Sequence, residues 1–254
     1  YRAFSDEEQC LLLERDGRDL SFLSDASMDA IITDHPWSDP KANKGGNRSF
    51  TDYDTFRYTQ DDFLEKARVL KNGCFLVEFI PSETESNYEY LFQLKQMAKE
   101  AGFIYYAKVP WKKGTFVANT GRKAKNTEDV MIFTKGKART LRPNAKKDLA
   151  NPEIRHFMSG ANGMLPANFD VQPLEKADRL HQSEKPVGLI EQILEYLTRP
   201  GEVVLDQFAG SGVVGQSCLN KGRRCILIEK ASEYVDIIKK RLHLTKEDLL
   251  PQAV

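Results

Sequence analysis

The chain has 254 residues, of which 41% are hydrophobic and 29% charged, a balance that excludes a disordered or collagen-like protein. Its 37 basic and 37 acidic residues cancel, so the overall charge gives no sign of a nucleic-acid partner. No apolar stretch approaches the roughly 18 residues of a membrane helix, and no signal-peptide pattern is present. The four cysteines stand singly and the four histidines make no metal-binding set. We therefore expect a cytoplasmic protein without a metal.

Predicted strands and helices alternate along the chain. Apolar runs bounded by turn signals predict strands at 10–14, 27–33, 74–80, 103–109, 129–134, 202–205 and 224–228. Apolar residues at helical spacing predict helices at about 59–70, 88–101, 187–197, 213–221 and 232–242. Gly73 is interpreted as the cap of the first helix. The alternation is typical of an α/β fold with a doubly wound, mostly parallel sheet and helices on both faces.

The alternation fails between residues 136 and 180, where four prolines interrupt a weakly periodic sequence. We interpret 136–180 as an inserted recognition segment, because an irregular insert can vary without disturbing the core. Residues 1–135 and 181–254 are then the two halves of a single domain. A glycine-containing stretch at 38–47 is predicted to be a loop.

Positive charge is concentrated between Lys108 and Lys147, where twelve basic residues face only two acidic ones, Glu128 and Asp129. Trp111 lies in the same stretch, as does Phe116, and a basic surface with aromatic residues suits a phosphate backbone with bases nearby. A solvated lysine-rich face is the alternative. The predicted DNA-binding residues are Lys112, Lys113, Arg122, Lys123, Lys125, Arg139 and Arg142.

A glycine-rich turn, DQFAGSGVVG at 206–215, follows a predicted strand and opens a helix. Its glycines allow a tight turn and the close approach of a ligand. Glu229 ends the next strand, where a carboxylate can accept hydrogen bonds from both ribose hydroxyls. The pattern fits NAD or S-adenosylmethionine, and a purely structural turn remains an alternative.

A second motif, Asp34-His35-Pro36-Trp37, follows a predicted strand directly, at the edge where open α/β sheets bind ligands. The exocyclic amine of a base is a poor nucleophile because its lone pair is delocalised into the ring. The Asp34 carboxylate and the backbone carbonyl of His35 could accept hydrogen bonds from the two N–H groups of the amine and so localise that lone pair. Trp37 offers a flat face on which an extruded base could stack. An ordinary turn with a buried tryptophan is the alternative.

Together, the two motifs resemble the β class of amino-methyltransferases that modify exocyclic base amines. Further stretches resemble the family's motifs in its order, over most of the chain: DGRD (16–19) leading to SMDAIITD (27–34), ARVLKNG (67–73), EDVMIFTKG (128–136) and HQSEKP (181–186). The resemblance implies a seven-stranded, Rossmann-like methyltransferase sheet and favours S-adenosylmethionine over NAD.

The resemblance also implies roles for individual residues. The catalytic motif is Asp34, His35, Pro36 and Trp37. The cofactor-binding residues are Asp19, Lys185, Asp206, Phe208, Ala209, Gly210, Ser211, Gly212 and Glu229. Of these, Asp19 would meet the adenine amine of the cofactor, and Lys185 would lie at its methionine end.

This sequence departs from the family's usual Asp-Pro-Pro-Tyr at two positions, His35 and Trp37, and Gln207 replaces a common proline. Loss of the proline at position 35 loosens the loop that aims the carbonyl. A general-base role for His35 is an alternative, although a neutral amine needs no prior deprotonation.

We therefore predict an S-adenosylmethionine-dependent DNA adenine-N6 methyltransferase of a restriction-modification type, acting on double-stranded DNA and able to form a homodimer. Cytosine-N4 members of the family more often carry serine at the position of Asp34. An RNA adenine methyltransferase, favoured by Trp37, and a non-catalytic nucleic-acid-binding relic, allowed by His35, are the alternatives.

Overall fold

The computed structural model describes residues 9–37, 55–117, 123–140, 165–175, 180 and 184–244, with the backbone alone for 114–117 and 123–126. Several predicted features lie outside this part of the chain: the loop 38–47, Arg122, Arg142, the side chains of Phe116, Lys123 and Lys125, and most of 136–180.

Strands and helices follow the predicted order. They are β1 (Cys10–Glu14), β2 (Met28–Thr33), α1 (Gln60–Val69), β3 (Leu70–Pro81), α2 (Tyr88–Glu100), β4 (Phe103–Val117), β5 (Lys123–Lys135), α3 (Val187–Leu197), β6 (Val203–Asp206), α4 (Val213–Asn220), β7 (Arg224–Glu229) and α5 (Ser232–Leu242). Each predicted element is confirmed, and β1, α3 and α5 have the predicted bounds. No helix within the described ranges is long and apolar enough to cross a membrane.

The strands form one sheet in the order β1-β7-β6-β2-β3-β5-β4. Neighbouring strands pair in parallel, except that β5 runs antiparallel to β3 and β4. The predicted seven-stranded, mostly parallel α/β fold is therefore confirmed. From β2 the chain continues to β3 on one side, and from β6 to β7 on the other, so the strand order reverses between β2 and β6. A crevice forms at such a reversal, at the edge where the parallel strands end, here called the carboxyl edge.

Two apolar layers cover the sheet because successive strand residues point to opposite faces. In β1, Leu12 belongs to the layer packed by α3, α4 and α5, whereas Leu13 belongs to the layer packed by α1 and α2. The helices contribute fully buried side chains to both layers, such as Ile193 on α3 and Phe63 on α1. The sheet is thus a rigid base for the loops at its carboxyl edge.

Gly73 does not cap α1, and this prediction was wrong. The helix ends at Val69, and the chain enters β3 at Leu70 in an extended conformation, with φ −79° and ψ 137°. Gly73 lies inside β3 with φ 77°, in the left-handed region that favours glycine. Its carbonyl accepts a hydrogen bond from the Arg139 N–H at 3.0 Å. The glycine therefore leaves room for the segment 137–139, which lies against the start of β3.

Strands β4 and β5 are much longer than predicted. They continue to pair beyond Pro81, the last residue of β3, through Lys112↔Thr127 to Val117↔Lys123. Pro110, Lys112 and Gly114 made this stretch unlike a strand, but the cross-strand hydrogen bonds of a hairpin outweigh such weak local preferences. Because β5 is antiparallel, this extension, residues 112–117 and 123–127, projects from the carboxyl edge. It is called the hairpin arm below.

Candidate functional site

Three carboxylates lie at the ends of neighbouring strands on the carboxyl edge. Asp34 follows β2, Asp206 ends β6 and Glu229 ends β7. Strands β2 and β6 pair at Ile31↔Leu205, so the two chains reach Asp34 and Phe208 at the same distance beyond this pair. The fold therefore brings the early and late sequence motifs together at the reversal of strand order.

The glycine-rich turn is held by Glu229. The Gly210 N–H donates to Glu229 Oε2 at 2.7 Å, and the Ala231 N–H donates to Oε1 at 2.9 Å. A carboxylate offers about four acceptor positions, so beyond its backbone donors Glu229 keeps acceptor capacity for the ribose. Gly212 has φ 81°, and a Cβ atom there would lie 3.0 Å from the Ile238 side chain. The turn therefore fits the predicted nucleoside cofactor, and its conformation requires glycine.

The other predicted cofactor residues lie around this turn. The Ala209 N–H donates to the Ile228 carbonyl at 2.9 Å, and the Ser211 carbonyl accepts from Arg241 at 2.8 Å. Phe208 is half-buried, with its ring 5.3 Å from that of Phe56. These contacts fix the turn against β7, α5 and the loop before α1.

Asp19 lies in the turn after β1, and this turn packs against Gln207. Gln207 Nε2 donates to the Gly17 carbonyl at 2.7 Å, and a Cβ atom on Gly17 would lie 1.8 Å from the Gln207 carbonyl oxygen. This close packing explains both the glycine and the glutamine that replaces the family's proline. Asp19 itself is exposed and accepts hydrogen bonds from Ser21, which lower the pKa of its carboxyl group.

Asp34 is half-buried and pairs with a lysine. Lys185 Nζ lies 2.5 Å from Asp34 Oδ2 and 3.1 Å from Glu128 Oε2. The sequence predicted Lys185 at the methionine end of the cofactor, and here its ammonium group bridges the carboxylates of Asp34 and Glu128. The lysine precedes α3, and only the packing of α3 under the sheet brings it to the end of β2.

His35 is fully buried, and its ring points into the protein. The ring centroid lies 4.1 Å from that of Tyr58 and 4.3 Å from that of Trp37. Nε2 lies 3.2 Å from the Tyr90 hydroxyl oxygen, and Nδ1 lies 3.7 Å from Glu78 Oε2. Burial lowers the pKa of His35 despite the nearby Glu78 carboxylate. The ring is therefore neutral at pH 7, but its burial shields it from a substrate, which gives no support to a general-base role.

A buried ion pair supports the His35 pocket. Lys66 on α1 contacts Glu78 on β3, and neither side chain is exposed. The Tyr58 hydroxyl donates to Glu78 Oε2 at 3.3 Å, and Lys66 Nζ lies 3.6 Å from the centre of the Tyr58 ring. Burial would raise the pKa of Glu78, but the ammonium group of Lys66 outweighs it and lowers the pKa. Glu78 is thus an ionised carboxylate within the apolar layer.

Replacing Lys66 by methionine should cost about 3–5 kcal/mol of unfolding free energy, because it leaves the Glu78 charge buried without its partner. The double variant Lys66→Met/Glu78→Leu should recover most of this loss. Lys71→Met is the matched control, since Lys71 is 42% exposed and its pair with Asp29 should be worth less than about 1 kcal/mol. Urea unfolding measures all three, and a single variant no worse than the control would contradict the expectation.

His35→Ala should lower stability by roughly 2–3 kcal/mol, because it opens a cavity between Tyr58 and Trp37. Methyl transfer per folded molecule should remain substantial, since the predicted mechanism uses only the backbone carbonyl of His35. His35→Pro restores the family's residue but also removes the ring, so it should carry a similar stability cost. Urea unfolding and single-turnover methylation separate the two effects. A folded His35→Ala protein without activity would show that the imidazole takes part.

Pro36 and Trp37 hold the rest of the motif in place. The Phe56 N–H donates to the Pro36 carbonyl at 3.4 Å, so the segment before α1 is anchored on the motif. The Trp37 ring packs edge-on against Tyr90 at 5.2 Å and remains half-buried. Its position between the His35 pocket and the surface is compatible with the predicted stacking of a base.

Part of the basic stretch is neutralised inside the fold. Lys113 contacts Glu128, and Lys108 Nζ lies 3.2 Å from Asp129 Oδ2. Lys112 is exposed on the hairpin arm. Two cations of the basic stretch, Lys108 and Lys113, are therefore paired with acidic residues of β5.

Arg139, a predicted DNA contact, is paired with an acidic residue in the structure. Its guanidinium forms two 2.6 Å hydrogen bonds with Glu202, which immediately precedes β6. Together with its N–H contact to Gly73, these bonds place Arg139 at the edge of the sheet opposite the crevice. Sequence spacing could not reveal this pair, because 63 residues separate its members.

Trp111 is also not a base-stacking residue. It is 2% exposed, and its indole N–H donates to the Val171 carbonyl at 2.7 Å. The Lys112 N–H donates to the Phe169 carbonyl at 2.9 Å, so residues around 169 pack along β4. The tryptophan secures the end of the insert to the base of the hairpin arm.

The sequence reasoning missed four residues of the His35 pocket, which are Tyr58, Lys66, Glu78 and Tyr90. One signal was available. Glu78 stands inside the apolar run CFLVEFI at 74–80, and a charged residue in a buried strand requires a partner. The partner itself, on the preceding helix, could be identified only from the packing.

Known proteins that resemble this chain in sequence or in fold include methyltransferases. The Type II methyltransferase M.HpaI of Haemophilus parainfluenzae is 25% identical over 242 residues, which cover 92% of this chain and 74% of that protein. The crystal structure of the M1.HpyAVI–SAM complex covers 92% of this chain and 100% of its own, with 24% identity and a TM-score of 0.63. The PvuII DNA methyltransferase, which is cytosine-N4-specific, covers 94% and 88%, with 18% identity and a TM-score of 0.65.

The family itself is identified by its sequence profile. The profile of the N6 and N4 amino-methyltransferases, described as DNA methylase, matches residues 28–240 and spans both motifs and every strand of the sheet except β1. S-adenosylmethionine is the methyl donor of this family, so the predicted cofactor is confirmed at the level of the family. The chain belongs to the DNA methylase family of N6 and N4 amino-methyltransferases.

Proposed function

We propose that this DNA methyltransferase methylates the N6 amine of adenine in double-stranded DNA. The observation that carries the proposal is the half-exposed Asp34 carboxylate at the end of β2, beside the glycine-rich turn that ends β6. A carboxylate beside a cofactor turn is the arrangement needed to orient an exocyclic amine. The resemblance of Asp34 to the adenine members of the family favours adenine over cytosine.

The mechanism relies on positioning. Asp34 accepts a hydrogen bond from one N–H of the flipped adenine amine, and the His35 carbonyl accepts a hydrogen bond from the other. These two hydrogen bonds direct the nitrogen lone pair at the cofactor. Trp37 stacks on the base. S-adenosylmethionine, when bound, supplies an already activated methyl group. Asp34 stabilises the positive charge that the nitrogen gains on attack, and the proton leaves to Asp34 or water. Orientation of this kind can supply several kcal/mol of the barrier reduction.

The cofactor would be held by the turn and its surroundings. Glu229 binds the ribose hydroxyls through its remaining lone pairs, and Asp19 accepts from the adenine amine of the cofactor. Phe208, Gly210 and Gly212 shape the pocket. The solved M1.HpyAVI–SAM complex, which shares this fold, supports S-adenosylmethionine as the cofactor.

The methylated product tests the proposal. Plasmid DNA from a methyltransferase-deficient host is incubated with the protein and S-adenosylmethionine, digested to nucleosides and examined by mass spectrometry. We expect N6-methyl-2′-deoxyadenosine. N4-methyl-2′-deoxycytidine would overturn the adenine assignment. Methylation of single-stranded RNA but not DNA would favour the RNA alternative, which Trp37 suggests, and cofactor binding without any product would favour the relic.

The hairpin arm is the proposed DNA contact. It projects from the carboxyl edge beside Asp34 and carries Lys112, Lys123 and Lys125. Changing these three lysines to glutamine should weaken DNA binding and flatten its dependence on salt, by about 0.9 in the logarithmic slope for each phosphate that the protein no longer neutralises. Lys137→Gln is the matched control, because Lys137 is exposed and belongs to the same basic stretch but lies beside Gly73 at the opposite edge. An unchanged slope in the triple variant would place the DNA elsewhere.

A further inference from the structure

Four charged side chains form a continuous line from the target site to the hairpin arm. Lys185 Nζ lies 2.5 Å from Asp34 Oδ2 and 3.1 Å from Glu128 Oε2, while Glu128 Oε1 contacts Lys113 Nζ. All four side chains are between 10% and 28% exposed, so solvent screens them only in part. This line, Asp34–Lys185–Glu128–Lys113, is called the charge line below.

The line creates a conflict at Asp34. During methyl transfer the target nitrogen becomes positively charged, and a negative Asp34 stabilises that charge. Lys185 offsets the negative charge and also occupies one acceptor oxygen. The Asp34 carboxylate is therefore most effective when Lys185 has moved away from it.

Glu128 is the group that can draw Lys185 away. In the structure its two oxygens are divided between Lys185 and Lys113, so its attraction for Lys185 is shared. Lys113 stands at the base of the hairpin arm, where a DNA phosphate can take over its contact. Glu128 then interacts with Lys185 alone.

We propose that Glu128 is a positioning residue that withdraws Lys185 from Asp34 once Lys113 engages DNA, so that the catalytic carboxylate becomes fully available only on the substrate complex. This inference rests on the proposed function, since it assumes an amine acceptor role for Asp34 and a DNA contact through the arm. It assigns Lys185 a role at the target site, in addition to any role at the cofactor.

The neighbouring acid on the same strand provides the comparison. Asp129 follows Glu128 in β5 but points to the opposite face of the sheet, where its carboxylate lies 3.2 Å from Lys108 Nζ. Asp129→Asn therefore changes the same charge in the same strand without touching the charge line.

Single-turnover methylation of unmethylated plasmid DNA, under saturating S-adenosylmethionine, tests the proposal. Glu128→Gln should slow methyl transfer by about 10- to 100-fold, the range of coupling between residues in one polar network. Its affinity for S-adenosylmethionine and its unfolding midpoint should stay close to those of wild type. Asp129→Asn should remain within about twofold of the wild-type rate. Lys113→Gln should raise the DNA concentration that gives half of the maximal single-turnover rate, with little change in the maximal rate itself.

The decisive measurement is made in a Lys185→Met background. If Glu128 acts through Lys185, adding Glu128→Gln to Lys185→Met causes no further loss. An equal loss in both backgrounds would overturn the proposal, as would a wild-type rate for Glu128→Gln alone. Failure of the proposed function has a different signature, because the wild-type protein itself would then give no N6-methyladenine.

Discussion

Asp34→Ala is expected to slow the chemical step about 10³-fold, while the protein stays folded and binds S-adenosylmethionine with nearly wild-type affinity. The carboxylate contributes most in the transition state, where the target nitrogen carries positive charge, and losing one such preorganised group costs about 10²–10³-fold in other enzymes. Lys185 keeps its contact with Glu128 in this variant, so no lysine charge is left without a partner. Single-turnover methylation at saturating cofactor and DNA measures the effect.

Asp34→Asn is the matched variant, since it keeps the shape and one acceptor oxygen but removes the charge. Its rate should lie between those of wild type and Asp34→Ala. Thermal stabilisation by S-adenosylmethionine, compared with NAD, reports cofactor binding in each variant. A rate within tenfold of wild type for Asp34→Ala, or loss of cofactor binding in it, would refute the assigned role.

Asp206→Asn is expected to make the protein more stable, with a gain that grows as the pH rises. Burial raises the pKa of Asp206 from 3.8 to about 8, helped by the nearby Asp34 and Glu229 carboxylates. In the unfolded chain this carboxyl ionises near pH 4, whereas in the folded protein it keeps its proton up to about pH 8. The folded state therefore binds more protons in this window, and wild-type stability falls as the pH rises.

Asparagine cannot titrate, and its carbonyl oxygen can still accept the Phe208 N–H that Asp206 accepts at 3.2 Å. The stability difference between Asp206→Asn and wild type should therefore grow by about 1.4 kcal/mol per pH unit, to about 5 kcal/mol between pH 4 and pH 8. Urea unfolding across this range measures the difference. Asp236→Asn, at an exposed position on α5, should show little change at any pH. A flat difference for Asp206→Asn would mean that the carboxyl is ionised in the folded protein.

The order of the elements and the two motifs were readable from the sequence, because both depend on local patterns. Apolar residues at period two or at helical spacing set the strands and helices, and turn residues set their ends. Asp34 and the turn at Gly210 and Gly212 each follow a strand directly, and parallel strands end at the same edge of a sheet. Their meeting could therefore be anticipated without knowing any side-chain contact.

The long-range pairs could not be read in this way. Lys185 reaches Asp34 across 151 residues of chain, and Arg139 pairs with Glu202 across 63 residues. Both outcomes depend on which charges the packed helices and loops bring within about 3 Å, the distance at which a charge-assisted hydrogen bond forms. Composition and spacing carry no such information.

At His35, the sequence predicted the role of the backbone but not the place of the side chain. The sequence by itself determined the fold, the family's motifs and the carbonyl at position 35, because backbone geometry follows from local pattern. Only the tertiary structure decided that the imidazole turns inward, where Tyr58, Glu78 and Tyr90 enclose it. The physical reason is that a side chain's direction and charge are set by burial and by partners distant in sequence, which exist only once the layers have packed.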